Sequence, residues 1–403
     1  MTRKATENAK KLLTGVAAAT ILPLVLSSHL AQAAESQDDS FWIPYVGVTG
    51  GYDSNLLRRS SLAPIPESFG GDESTTFGTV FAGLRAEETY GRQRFTFDGE
   101  LARRTYQDLD TLNHTGGSVD VAWHIKAGLN WTGQVTYNYL RNLRNFEFLE
   151  ALTDDPRRSG RVGFKLIRTL GTRSQLELSG HHTDIRLDTP IPGAEDRLID
   201  RDNLGLRYTY ALGRQAKVGA LVEHEVRDGV SNSDLGDFDH TSAGVFLQWS
   251  LTNKTHLEAE VHYAERDLDI PNGNDFDGVL GKLNFQWETT GKSTVQARYD
   301  RRLSNLADEI PGIALIDEIR IQPTWSPTDK IELGAYVHFE RRNFRSEQDR
   351  EDRLFTTGGT FTWSLPRSIE LSLLAEHRNR EGNSPLSDYN GTIVSLTLQA
   401  DLR

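Results

Sequence analysis

The sequence predicts an all-β chain: a transmembrane, antiparallel, up-and-down β-barrel of about eighteen strands, with short periplasmic turns and long extracellular loops. Three observations carry that expectation. Trp249, Trp287, Trp325 and Trp363 stand thirty-eight residues apart, each just ahead of a short polar turn. Nearly every segment from Tyr45 onward alternates apolar and polar residues with period two. The connections between those segments are alternately tight and long.

The tryptophan repeat sets both architecture and orientation. An indole prefers a boundary that is apolar on one side and wet on the other, so a row of indoles before successive turns reads as an aromatic girdle at a membrane interface. Trp123 follows the same rule earlier in the chain, and the row belongs on the periplasmic rim. The rival reading is a β-propeller, whose blades repeat every ~40 residues. A blade fits four short strands into that length, whereas this repeat holds two strands of about eleven residues, the length of a tilted membrane span. The Trp-Asp dipeptide of common propeller repeats is also absent.

The strands are legible from their two faces. Val119, Val121, Trp123 and Ile125 alternate with Ser118, Asp120, His124 and Lys126, and Leu257, Ala259, Val261 and Tyr263 alternate with His256, Glu258, Glu260 and His262. Counted in this way, the strands run from 45–52 to 389–402. Gly91-Arg92, Gly213-Arg214, Asn253-Lys254 and Pro366-Arg367 mark tight turns, while Ser54 to Glu73, Asn142 to Pro156, Asp228 to Asp239 and Asn343 to Arg353 mark long loops. Pro323 falls inside an expected strand and removes a ladder hydrogen bond, which predicts a bulge or a strand end there. The last residues, Ala400 to Arg403, lack the aromatic that often closes bacterial barrels.

Ahead of the barrel, Arg3, Lys4, Lys10 and Lys11 precede an apolar stretch from Leu12 to Leu26 and the small-x-small site Ala31-Gln32-Ala33. This pattern predicts a cleaved signal peptide over 1–33, a short periplasmic segment over 34–44 and an outer-membrane barrel over 45–403 of a Gram-negative cell. No later apolar run reaches the ~20 residues of a helical span, and mean hydropathy is −0.51. A barrel tolerates that value because only alternate residues of its strands face lipid.

Composition removes several function classes. With no cysteine, disulfide scaffolds, Cys-ligated zinc and thiol nucleophiles are excluded. The net charge of −12 argues against nucleic acid as a partner. No zinc-protease helix motif, nucleophile elbow or phosphate loop is present, so no enzyme, cofactor or metal is expected. Glu258 and Glu260 would stand ~6.5–7 Å apart along one strand face, a spacing that an acid–base pair tolerates; a polar lumen ladder is the plainer reading.

The expected lumen face carries Arg85, Arg104, Arg161, Lys165, Arg207, Lys282, Arg298 and Arg320 beside Glu223, Glu225, Glu258, Glu260, Glu332, Glu340, Glu370 and Glu376. Basic positions lead in the early strands and acidic ones in the later strands. Two outcomes stay open: a transverse field across the pore, or opposite charges that pair and fill the lumen. Phe246 and Tyr336 also point inward in this register and are candidate platforms for stacking a sugar. A one-residue slip would send both to lipid.

Pro44-Tyr45-Val46, Tyr52-Asp53-Ser54-Asn55-Leu56-Leu57-Arg58, Tyr90-Gly91-Arg92-Gln93-Arg94-Phe95 and Leu112-Asn113-His114-Thr115 resemble a known family. It is the EpsL-like outer-membrane β-barrel proteins associated with exosortase-linked exopolysaccharide clusters. The resemblance is densest over residues 44–230, and it departs at Ser54 and Leu57, where that motif often has Asp and Phe. It implies export of a secreted polysaccharide across the outer membrane, with separate periplasmic and inner-membrane synthesis and export proteins as partners besides outer-membrane lipid. The alternatives are a general diffusion porin or surface-binding barrel and, third, an outer-membrane hydrolase. A porin should carry an inward constriction loop, for which residues 53–74 and 143–158 are long enough.

Overall fold

The computed structural model describes residues 41–60, 73–107, 109–143, 156–187, 197–229, 237–269, 275–304, 313–345, 350–383 and 388–402. Eighteen strands follow one another: β1 (Phe41–Asp53), β2 (Thr75–Tyr90), β3 (Gln93–Tyr106), β4 (His114–Ala127), β5 (Trp131–Leu143), β6 (Pro156–Leu170), β7 (Ser174–Leu187), β8 (Arg197–Ala211) and β9 (Ala216–Gly229). The second half continues with β10 (Asp237–Thr252), β11 (Thr255–Asp269), β12 (Phe276–Thr290), β13 (Ser293–Ser304), β14 (Ile313–Thr328), β15 (Ile331–Arg345), β16 (Glu351–Leu365), β17 (Ile369–Gly382) and β18 (Tyr389–Asp401). Each strand pairs antiparallel with its neighbours in sequence, and β1 pairs with both β2 and β18, from Tyr45 opposite Asp401 to Asp53 opposite Ile393. The sheet therefore closes on itself and leaves no open edge, the condition for β-structure in lipid.

Period-two alternation gives the barrel two faces. Val48, Val80, Leu101, Val245, Val261, Val279, Ile321, Val337 and Leu396 all point outward and are exposed. In water so continuous an apolar surface would be an association site; against acyl chains it is the matching solvent.

All seven tryptophans lie on this outer face at the end where the short turns are, between 37% and 63% exposed. Trp42 and Trp131 thus extend the row expected from Trp123, Trp249, Trp287, Trp325 and Trp363. The indole Nε1 of Trp42 donates to Glu88 Oε1 at 2.7 Å and that of Trp123 to Gln93 Oε1 at 2.8 Å, which keeps the polar edge of each ring toward water. Toward the loop end, Tyr263 and Tyr299 donate hydroxyl hydrogen bonds of 3.0 Å to Asp277 and Asp317. Eight residues separate Trp287 from Val279, which stands opposite Tyr263. At ~3.4 Å per residue and a tilt of ~40° the two girdles lie roughly 20 Å apart, close to the apolar band of an outer-membrane barrel.

The thirty-eight-residue repeat also has a backbone meaning. The N–H of Glu288 donates to the carbonyl of Lys254, that of Ser326 to Lys292 and that of Ser364 to Lys330, each at 2.8 Å, so each hairpin is tied to the one before it. Within the turns the hydroxyls of Thr252, Thr290 and Thr328 accept the N–H of Lys254, Lys292 and Lys330 at 3.1–3.3 Å. A threonine two residues ahead of the lysine is thus the local cap that reverses the chain.

Three expectations are corrected. The strands are 12 to 16 residues long, not about eleven, and β1 starts at Phe41, not Tyr45. The added start of β1 lies at the turn end, and most of the other extra residues lie at the loop end, where outward positions become charged: Arg301 pairs with Asp317 at 2.8 Å, and Glu351 with Arg341 and Arg353 at 2.7 and 2.9 Å. There the ladder continues beyond the apolar band, so alternation in hydrophobicity stops before the strand does. Pro323 makes neither a bulge nor a strand end: it faces outward opposite Val295, while pairing with β15 runs from Ile321–Val337 to Thr324–Gly334 in unchanged register. Residues 1–40, which hold the expected signal peptide, lie outside the described residues.

With every indole on one rim, tryptophan fluorescence of the protein in vesicles should be quenched more strongly by a nitroxide near the headgroup than by one at the acyl terminus. Stronger quenching by the deep probe would contradict the girdle.

Candidate functional site: the lumen wall

The inner face is built from inward rings laid over glycines. Phe246 on β10 stands directly opposite Gly219 on β9, Tyr336 on β15 opposite Gly358 on β16, and Tyr45 on β1 opposite Gly83 on β2. A Cβ at any of these glycines would collide with the ring, so the absent side chain is what lets the aromatic lie flat along the wall. The opposite face of each ring is covered by a guanidinium: Arg207 lies 4.0 Å from the Phe246 centroid, Arg320 4.8 Å from that of Tyr336 and Arg85 4.5 Å from that of Tyr45.

A carboxylate completes each unit. Arg207 pairs with Glu260, which Lys282 also holds at 3.0 Å. The Tyr336 hydroxyl donates to Glu376, itself paired with Arg378. That of Tyr45 lies 3.3 Å from Asp98 and 3.2 Å from Glu100, while Arg85 reaches Asp401 at 3.3 Å. Glu260, Glu376, Phe246 and Tyr336 are all buried. Breaking such a pair from one side would leave an uncompensated charge, which costs about 3–5 kcal/mol.

These contacts decide the sequence expectations residue by residue. Arg85, Arg104, Arg161, Lys165, Arg207, Phe246, Glu258, Glu260, Arg298, Arg320 and Tyr336 all occupy the face opposite the exposed apolar one. Arg207, Phe246 and Glu260 come together in one unit, and Arg320 and Tyr336 in another. The remainder make separate contacts: Arg104 lies over Phe77 and donates to Thr79 at 2.9 Å, Arg161 donates to His181 Nδ1 at 3.0 Å, Lys165 meets Glu177 at 3.2 Å and Arg298 pairs with Asp300.

Two ideas fail on this geometry. Phe246 and Tyr336 cannot stack a sugar, because a glycine strand covers one face of each ring and an arginine the other. Glu258 and Glu260 do not act as an acid–base pair, since Glu260 is neutralised by two cations and Glu258 accepts a hydrogen bond from Gln248 at 3.3 Å. Of the two electrostatic outcomes, local pairing holds: Glu318 meets Arg302, Glu340 meets Arg342 and Glu376 meets Arg378, so the later strands form no one-sided acidic wall.

Tyr45 and the glycine partners went unnoticed in the sequence. Their signal is an inward glycine directly across from an inward ring, visible only once register is known.

Near the turn end the wall forms an open cavity of about 810 Å³, lined by the amides of Gln248, Asn284, Gln286, Gln296 and Gln322 together with charged residues that include Arg298, Arg320 and Glu258. Gln286, Gln296 and Gln322 face one another across β12, β13 and β14. Amides at this density offer donors and acceptors to water and polar solutes without fixed charge.

At the loop end, the motif from Asp53 to Arg58 forms a knot over the barrel seam. Arg58 holds Asp53 through two bonds of 2.8 and 2.7 Å, and its φ of 52° places it in the left-handed region. Ser54 and Thr392 exchange bonds of 3.0 and 2.8 Å, and Asn55 Nδ2 donates to the carbonyl of Asn390 at 3.2 Å. The motif thus clamps β1 to β18 where the barrel closes, and Leu57 packs with Tyr106, Leu109, Leu112 and Leu143. The rest of the two candidate constriction loops, 61–72 and 144–155, lies outside the described residues.

An apolar belt, a polar lumen and a closed eighteen-stranded ladder define a porin-like outer-membrane β-barrel. The chain belongs to the family described as "Putative beta-barrel porin 2", whose pattern matches residues 42–402. No curated protein matches it in sequence. Among solved structures it is similar to OccK2 (OpdF) of Pseudomonas aeruginosa, with 9% identity, a TM-score of 0.50 and coverage of 90% of this chain and 98% of that one. OccAB1 of Acinetobacter baumannii aligns at 11% identity and a TM-score of 0.49, covering 90% and 97%, and OpdK of Pseudomonas aeruginosa at 11% and 0.49, covering 90% and 99%. At these identities the likeness concerns the fold.

Gly219→Ala should crowd the Tyr208 carbonyl and push Phe246 off the wall, destabilising the barrel by about 1–3 kcal/mol in urea unfolding from bilayers. Adding Phe246→Leu should recover part of that loss. A neutral Gly219→Ala would mean that the ring is not seated on the glycine.

Proposed function

We propose that the protein is a diffusion porin that admits small hydrophilic solutes through the outer membrane. The observation that carries this reading is the contrast between the faces: lipid-compatible outside, and inside a polar wall of amides, arginines and ion pairs such as Arg207–Glu260 and Arg378–Glu376. Such a wall offers hydrogen-bond donors and acceptors to water and to small polar solutes along its length. In this reading residues 1–33, with basic residues ahead of an apolar stretch, direct export from the cytoplasm of a Gram-negative cell.

Reconstituted into a planar bilayer, the protein should give discrete conductance steps, and liposomes containing it should swell in small sugars and amino acids but not in large oligosaccharides. A silent bilayer from correctly folded protein would reject the porin reading.

Polymer export, which the resemblance to EpsL-like barrels implies, draws less support from the lumen. A sugar chain is commonly guided by open ring faces, and both candidate rings are covered. Deleting the gene should therefore leave secreted polysaccharide at the parental level. A clear loss of secreted polymer, restored by complementation, would reinstate export.

A further inference from the structure

We propose that Glu318, His338 and Glu340 form a binding site for one divalent transition-metal ion, of which zinc is the natural probe, on the lumen wall in the outer half of the barrel. Such a site goes beyond passive diffusion, and beyond the expectation from the sequence that no metal is held.

Three donor atoms converge. His338 Nε2 lies 3.3 Å from Glu318 Oε1 and 3.7 Å from Glu340 Oε2. Donor atoms of all three residues fall within 4.8 Å of one another. Around an ion bound at ~2.1 Å, neighbouring donors stand about 3.0 Å apart at right angles and about 3.4 Å apart in a tetrahedron, so the first two edges are close to those of a coordination sphere. Nε2 of His338 is buried and makes no hydrogen bond of acceptable geometry, although two carboxylate oxygens face it. A histidine serving only as an ion-pair partner would be expected to aim an N–H at one of them.

The surroundings hold these donors in place. Arg302 engages Glu318 through its other oxygen, Oε2, at 3.4 Å, and Arg342 engages Glu340 through Oε1. Each arginine therefore orients a carboxylate and leaves the second oxygen directed at His338, the arrangement that outer-shell partners give to metal ligands.

A second, independent feature points the same way. Asp300, Glu318 and Glu340 occupy one row, directly opposite one another across β13, β14 and β15. Like charges at directly opposed positions are destabilising. Arg298, Arg302 and Arg342 offset part of that repulsion, and a divalent cation between Glu318 and Glu340 would offset more. A mixed nitrogen and oxygen donor set, without thiolate, favours zinc and its first-row neighbours over calcium or magnesium.

The test uses the full folded chain in detergent, with equilibrium dialysis against Zn²⁺ and visible absorption on titration with Co²⁺. One equivalent should bind with micromolar affinity, and Co²⁺ should show d–d bands. His338→Gln should weaken binding at least tenfold and abolish the bands, as should Glu340→Gln, with folding verified by heat-modifiable mobility. The chain has eleven histidines, so the comparison with His338→Gln separates this site from the rest. If the parent protein binds no more zinc than His338→Gln, or if Co²⁺ gives only the spectrum of the free ion, the site does not exist. Because binding is read without conductance, a failure here leaves the porin reading untouched, and a silent bilayer leaves this one untouched.

Discussion

A backbone amide or carbonyl left unpaired in hydrocarbon costs several kcal/mol, and the rest of this structure follows from avoiding that cost. The ladder runs through every neighbouring pair and is completed where β1 meets β18. Closure makes the seam the point where failure would be most expensive. The knot from Asp53 to Arg58 is placed there, and its bonds to Asn390 and Thr392 hold the first strand to the last. Pro323 shows the same constraint in a milder form: its ring lies on the outer face of a continuous strand, so register is unchanged on both sides.

Closure also divides the side chains between two solvents. Outside, apolar residues meet acyl chains, and indoles and tyrosines mark the two limits of the apolar band. Inside, the wall must be polar enough to hold water yet cannot leave charges unmatched in a partly desolvated space. The protein meets both demands by stacking a ring on a glycine, a guanidinium on the ring and a carboxylate beside the guanidinium. Three such units recur around the wall, at Tyr45, Phe246 and Tyr336. At Tyr45 and Phe246 one arginine covers the aromatic face and engages a carboxylate at the same time, whereas at Tyr336 Arg320 covers the ring and Arg378 holds the carboxylate. The same units cover the faces of these rings, a glycine strand on one side and an arginine on the other.

In the row of Asp300, Glu318 and Glu340 each acid has an arginine partner, and the three stand directly opposite one another. The imidazole of His338 lies between two of them, and its Nε2 makes no hydrogen bond of acceptable geometry.

Periodicity determined much by itself. A strand's side chains alternate whatever its neighbours do, so the barrel class, the strand count, the turns at Gly91-Arg92 and Asn253-Lys254 and the tryptophan rim were all legible along the chain. Parity within a strand also decides which residues share a face, and Arg207, Phe246 and Glu260 were placed on the inner face for that reason. Strand ends beyond the apolar band were not legible, because outward positions there are as polar as inward ones. Nor were the contacts of the wall. Whether Phe246 meets a glycine, whether Glu260 meets Arg207 from a strand three places away in the sheet, and whether Glu318 and Glu340 converge on His338 depend on register between strands. Register is a property of the closed ladder, and only the tertiary structure decides it.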